Sequence, residues 1–361
     1  MEIVIISIAI IVAFILYKKK KKELVWWEYV IFLGGSISLY LLLKLFLVKL
    51  ITTDTEFLGG YITKTTYYEP WNEKVTVTKT KTDSDGNTIT YEEEEIKYHY
   101  EKYTYNTNLD NNEIRCSKKE HEEIKRLFGV YPEFKDMHRK YYTEDGDSYV
   151  YNWNKSDLTM RTITKTNLYK NPMKCSNSIF RLTKGKKDSR LFDYPEIERK
   201  DQRVILGIKK TLSDQRLRVL NSKLGKNYQI RVFLLVFPES YGIKTAIDQK
   251  NYWEGGNKNE LVICVGVKND SVKWCYPFSW CDNPEVETKI KAWYIDNPKF
   301  NITALCDYLD PTIRKYWVRK EFKDFDYITT DISIGYDIIL FILVLIYMMA
   351  IGYWITTNEY N

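Results

Sequence analysis

Gln229-Ile230-Arg231-Val232-Phe233-Leu234-Leu235-Val236-Phe237 and Glu260-Leu261-Val262-Ile263-Cys264-Val265-Gly266-Val267 are near-continuous apolar runs rich in β-branched and aromatic residues. A strand with one wet face alternates apolar and polar side chains, whereas a run without alternation reads as a strand covered on both faces. Between the two runs, residues 243–253 read as a helix stopped by Gly255-Gly256. Upstream, Ser213 opens a helix through Leu217, Leu220 and Leu224 that ends at Gly225. Downstream, Asn269-Asp270 turns the chain into a strand over 272–276, and helices follow over 285–294 and 303–322. A last short strand is expected over 325–330. Residues 201–333 are therefore expected to form an α/β region.

The preceding stretch, residues 52–200, reads as β-rich. Val75 and Val77 alternate with Thr76 and Thr78, and Asp83-Ser84-Asp85-Gly86-Asn87 has the chemistry of a hairpin turn. The returning strand carries Glu92, Glu93, Glu94 and Glu95 and has no apolar face, so the hairpin is expected to project into solvent. Tyr98 and Tyr100 share one parity and Tyr103 and Tyr105 the other, which predicts a break near Lys102. Ser117 and Glu120 form a Ser-x-x-Glu capping pattern, Ile124, Leu127 and Phe128 an apolar stripe, and Gly129 a stop. A second hairpin is expected over 134–153, turning at Glu144-Asp145-Gly146-Asp147, then a strand over 158–169 and irregular chain over 171–203.

The ends of the chain are of another kind. Apolar runs cover residues 3–17, about 25–51 and 334–355. A bilayer core about 30 Å thick takes about 20 helical residues. The second and third runs meet that length, and the first can span with interfacial help. Trp26, Trp27, Tyr29, Tyr353 and Trp354 sit near run ends, where amphipathic rings favour the headgroup layer. Lys18 to Lys22 follow the first run instead of preceding it, the wrong polarity for a cleaved signal peptide. The expected fold class is thus α+β: a transmembrane hairpin over 1–51 with a Lys-rich loop, a soluble part over 52–333, and a third transmembrane helix and tail over 334–361. Five lysines in a tight loop place that loop in the cytoplasm and the soluble part outside it. Lys44, Lys49, Arg319, Lys320 and Lys323 flank the opposite ends of the second and third runs and pull the other way.

Composition narrows the chemistry. The net charge is +6 on 361 residues, too mild to point to nucleic acid. All six cysteines lie between the apolar ends, and Cys275 and Cys281, close in sequence, are the expected disulfide pair. No Cys-x-x-Cys occurs, and His99, His121 and His138 lack His-x-x-x-His company, so no metal or other cofactor is expected. Asp136, Asp145 and Asp147 lack EF-hand spacing. Gly255-Gly256-Asn257-Lys258-Asn259 precedes a strand and not a helix, which excludes a phosphate-binding P-loop.

Phe57-Leu58-Gly59-Gly60-Tyr61, Tyr67-Tyr68-Glu69-Pro70-Trp71-Asn72-Glu73 and Tyr252-Trp253-Glu254-Gly255-Gly256-Asn257-Lys258-Asn259-Glu260-Leu261-Val262 resemble a family of uncharacterised bacterial and phage-associated membrane-anchored proteins, over most of residues 55–330. The layout of residues 213–282 (helix, strand, helix, Gly/Asn-rich loop, strand, tight turn) is similar to that of the TPM domain. That family comprises membrane-anchored α/β domains, often extracytoplasmic, some described as phosphatases. Two functions follow as expectations. The first is a non-enzymatic, extracytoplasmic interaction or assembly module with the lipid bilayer and a protein as its partners. The alternative implied by the TPM layout is a phosphoester hydrolase working through Asp248, Glu254, Asn257 and Asn259.

Overall fold

In the computed structural model, residues 11–12, 15, 26–82, 86, 88–110, 112–137, 147–175, 187–197, 203–209, 212–328, 330 and 332–357 are described. The chain divides into two compact units, one from the described residues of Met1–Thr55, Leu168–Thr183 and Glu321–Asn361, the other from those of Glu56–Asn167 and Lys184–Lys320.

The larger unit holds three sheets. The first takes β1 (Thr53–Tyr68), β4 (Lys102–Thr107), β5 (Ile114–Arg115), β6 (Glu133–Lys135) and β7 (Ser148–Asn152) in the order β5-β4-β1-β7-β6, with β8 (Thr162–Lys170) also pairing with β1. Helix α2 (Lys118–Phe128) is capped as its sequence predicts: Ser117 Oγ accepts from the Glu120 amide at 3.2 Å, and Gly129 follows with φ +105°. Its stripe buries Ile124 and Phe128 with Ile62, Tyr105, Tyr151 and Ile163. The second sheet is the hairpin of β2 (Trp71–Thr82) and β3 (Thr88–His99), paired in register from Trp71↔His99 to Thr82↔Thr88. The predicted break falls at Tyr100-Glu101, between β3 and β4.

The third sheet has the order β12-β11-β10-β9, from β9 (Ile205–Leu206), β10 (Arg231–Pro238), β11 (Glu260–Lys268) and β12 (Ser271–Ser279). β9, β10 and β11 run parallel, and β12 returns antiparallel through Asn269-Asp270, both at positive φ. Every residue of β10 from Arg231 to Phe237 is buried, so both faces are covered as the apolar run requires. Helices α3 (Leu212–Tyr228), α4 (Lys244–Tyr252), α5 (Glu285–Asp296) and α6 (Ile302–Tyr316) complete the region in the predicted element order. The boundary near residue 201 separates two sheets, not two compact units.

Three details differ from expectation. Helix α3 passes through Gly225 to Tyr228. Gly225 serves packing here: a Cβ on it would stand 2.0 Å from the Gly59 carbonyl oxygen of β1. Helix α6 is capped by Asn301 and stops at Trp317, short of residue 322. The strand expected over 325–330 is absent from its described residues. The amides of Asp326 and Ile328 bond to Lys323 and Phe325, local turns that use the donors a ladder would need.

The smaller unit contains α1 (Trp26–Thr52) and α7 (Ile334–Thr357). Both are long and apolar enough to cross a membrane, with mean hydropathy 2.1 and 2.6. The expected third helix, over 3–17, lies almost wholly outside the described residues, which therefore hold two such helices and not three. Phe32 and Tyr40 of α1 pack with Leu340, Val344 and Met348 of α7. A π-helical turn at Val30–Gly34 widens α1, and Tyr347 donates to the Ile31 carbonyl at 2.9 Å. Gly35 leaves room for that hydroxyl, since a Cβ there would meet it at 1.9 Å.

Candidate functional site

Ordinary β-sheet register brings two charged residues together. Arg231 and Glu260 are the first residues of the parallel neighbours β10 and β11 and are paired in register. Both are fully buried: Arg231 is 1 % exposed and Glu260 0 %. Glu260 Oε2 accepts the Asn257 amide at 2.9 Å, Oε1 accepts Asn257 Nδ2 at 3.1 Å, and the Tyr194 hydroxyl donates to Oε1. Asn259 receives the Arg231 amide on its carbonyl at 2.8 Å and donates Nδ2 to the Phe57 carbonyl at 2.9 Å. The Arg231 guanidinium lies over the rings of Phe233 at 4.9 Å and Phe57 at 5.8 Å. None of its three nitrogens has a hydrogen-bond partner among the described residues.

The electrostatics follow from burial. Desolvation holds the Glu260 carboxyl above its usual range, against the opposing pull of its hydrogen bonds and of Arg231. It also raises the Tyr194 hydroxyl and lowers the Arg231 guanidinium. Nearby in sequence, Glu56 at the start of the unit takes a bidentate bond from Arg319 Nη2 at 2.6 and 2.7 Å. Such pairs keep buried charge tolerable.

The position of this network limits what it does. It sits at the amino ends of the parallel strands, whereas open α/β sheets bind ligands beyond the carboxyl ends. At the carboxyl ends, Trp274 donates to the Glu239 carbonyl at 3.2 Å and its ring lies beside Phe237 at 6.0 Å. Gly207 lies so close to β10 that a Cβ would stand 1.9 Å from the Val236 carbonyl oxygen.

Of the four residues expected to serve a hydrolase, Asn257 and Asn259 belong to the network. Asp248 lies half-buried on α4, where its charge acts on Arg190, and Glu254 is exposed at φ +52°. Arg231, Tyr194 and Glu260 were not picked out from the sequence. The available signal was a charge heading each of two apolar runs. Among the described residues no group of three or more His, Cys, Asp or Glu could hold a metal. The expected Cys275–Cys281 bridge is not made: both thiols are free. Cys275 pairs in register with Val265, and its thiol is pushed by burial to about 12, while Cys281 Sγ accepts the Val318 amide at 3.3 Å. His121 is a packed core residue, hydrogen-bonded to Thr65 Oγ1 at 2.9 Å and lowered by burial. His99 stacks on Trp71 at 4.1 Å and meets Glu73 at 2.8 Å. His138 lies outside the described residues.

Two further features are open to solvent. A groove of about 310 Å³ is lined by Leu109, Ile114, Ile163 and Ile197, with the ion pair Asp110–Lys165 (3.1 Å) and the Thr164 hydroxyl in its wall. Its cation and anion already neutralise each other. The other feature is the β2–β3 ribbon, in which every residue from Thr88 to Tyr98 is exposed. Comparison of the chain with family models, with curated proteins and with solved structures finds no match to any of them.

Proposed function

We propose that this chain is a membrane-anchored interaction module whose soluble unit lies outside the cytoplasm and assembles through the β2–β3 ribbon. The observation that carries the reading is the ribbon itself. Two twelve-residue strands form a sheet of their own, about 40 Å long at strand rise. A lone two-stranded sheet is marginal in water, and open edges recruit further strands. Ile89, Tyr91, Ile96 and Tyr98 stand 43–64 % exposed along it. Retaining such a ribbon makes physical sense where a partner covers it.

Anchoring is supported by α1 and α7, and sidedness by charge. Lys18 to Lys22 precede α1, which puts its start inside and its end outside whether or not residues 3–17 span. Two of the five opposing cations are neutralised within the soluble unit, Arg319 by Glu56 and Lys320 by Asp282 at 2.6 Å. Hydrogen exchange tests the reading. Amides of residues 74–82 and 88–96 should exchange at least about tenfold more slowly in native membranes than in detergent-dispersed monomer. Equal, fast exchange in both would overturn it. Protease added to right-side-out vesicles should cut within residues 52–333, and full protection would reverse the sidedness.

A further inference from the structure

We infer that the ribbon's partner is the ribbon of a second copy of this chain, with β2 of one copy lying against β3 of the next. This rests on the interaction reading above and names its partner. The two strands are charged oppositely. β2 carries Lys74, Lys79 and Lys81 against Glu73, and β3 carries Glu92 to Glu95 against Lys97. Inside one hairpin these charges already meet, Lys79 with Glu93 at 2.9 Å and Glu95 at 2.6 Å, and Lys74 with Glu94 at 3.8 Å.

Each strand keeps an outer edge that the hairpin does not use. A β3 edge set against another β3 edge puts four glutamates opposite four glutamates, and β2 against β2 opposes lysines. Like charges facing across strands are destabilising, and opposite ones favourable. Charged edge residues thereby exclude most strands and admit one of complementary pattern. Orientation selects the same pairing. Ribbons laid side by side with their tips pointing the same way present β2 and a neighbour's β3 antiparallel, the geometry the hairpin itself uses. The two like-with-like pairings would be parallel. The contact is heterologous, so each assembly leaves one basic and one acidic edge for a further copy.

The test uses the full chain, purified in light and in ¹⁵N-heavy form, mixed and reconstituted into one bilayer. A zero-length reagent then joins amines to carboxylates. The expected result is peptides linking Lys74, Lys79 or Lys81 of one isotope to Glu92–Glu95 of the other. Links only within one isotope would overturn the inference. A second arm reads oligomer size for the variant Glu92→Gln/Glu93→Gln/Glu94→Gln/Glu95→Gln. It should run as monomer where the wild type does not, with the melting of the rest of the unit unchanged. Assembly at wild-type size would refute the charge argument. If the ribbon is protected in native membranes but pure copies give no mixed links, the partner is a different protein. Self-pairing then fails while the interaction reading stands. Free exchange everywhere removes both.

Discussion

Replacing Gly225 by alanine sets helix propensity against tertiary packing with opposite signs. Gly225 lies inside α3, where glycine costs about 1 kcal/mol relative to alanine. Propensity alone therefore makes Gly225→Ala stabilising by about that amount. The packing says otherwise. The new Cβ would stand 2.0 Å from the Gly59 carbonyl oxygen, 2.9 Å from its carbonyl carbon and 3.1 Å from its nitrogen. All three are backbone atoms, so no rotamer change relieves the overlap, and β1 and α3 must separate by roughly 1 Å or more to restore ordinary contact. Overpacking costs about 1–3 kcal/mol, and a backbone-on-backbone clash belongs at the upper end. Net destabilisation is then about 2 kcal/mol, or a melting temperature lower by about 4–8 °C for a unit of this size. Thermal unfolding of the full chain in detergent, followed by near-ultraviolet circular dichroism, measures it. Asn227→Ala, exposed two residues along the same helix, is the control and should not lower the melting temperature. A Gly225→Ala protein that melts at or above wild type would refute the close approach of β1 to α3, and with it the placement of Phe57 beside Arg231.

Removing either partner of the Glu56–Arg319 pair, whose side chains are 5 % and 18 % exposed, should cost about 3–5 kcal/mol in denaturant unfolding, because a buried charge is left alone. The double alanine variant should cost less than the two singles summed. Ser117→Ala should cost about 1 kcal/mol through loss of the bond to the Glu120 amide, and Ser117→Gly only a few tenths. The Glu260 carboxyl binds its proton more tightly in the folded state than in the unfolded chain. Its contribution to stability is therefore greatest below the ordinary carboxyl value of 4.5 and falls as pH rises towards the raised folded value. The stability of wild type relative to Glu260→Gln should drop as pH climbs from about 4.5, and parallel curves for the two proteins would refute the shift.

Local physics made much of this protein readable in its sequence. The two apolar runs set β10 and β11, because a strand covered on both faces has no polar period to hide. Ser117, Glu120 and Gly129 marked the ends of α2, because capping involves neighbours three residues apart. The length and apolarity of α1 and α7 were explicit, and the glutamate run of β3 announced an exposed strand. Tertiary structure decided what distant residues do to one another. Gly225 looked like a helix stop and is instead the point where α3 meets β1, a fact held by Gly59, far away in the chain. Residues 325–330 read as a short strand, but the amides of Asp326 and Ile328 are taken up in local turns and are lost to a ladder. The buried network shows the same division most plainly. Asn257 and Asn259 stood out from a glycine-rich loop, but Arg231, Glu260 and Tyr194 gain their roles only when parallel register aligns two strand starts and a third segment folds over them. Sequence fixes which residues prefer a helix, a strand or lipid, because those preferences act over a few neighbours. Which charges face each other is decided by packing, because only the folded chain sets distances between residues remote in sequence.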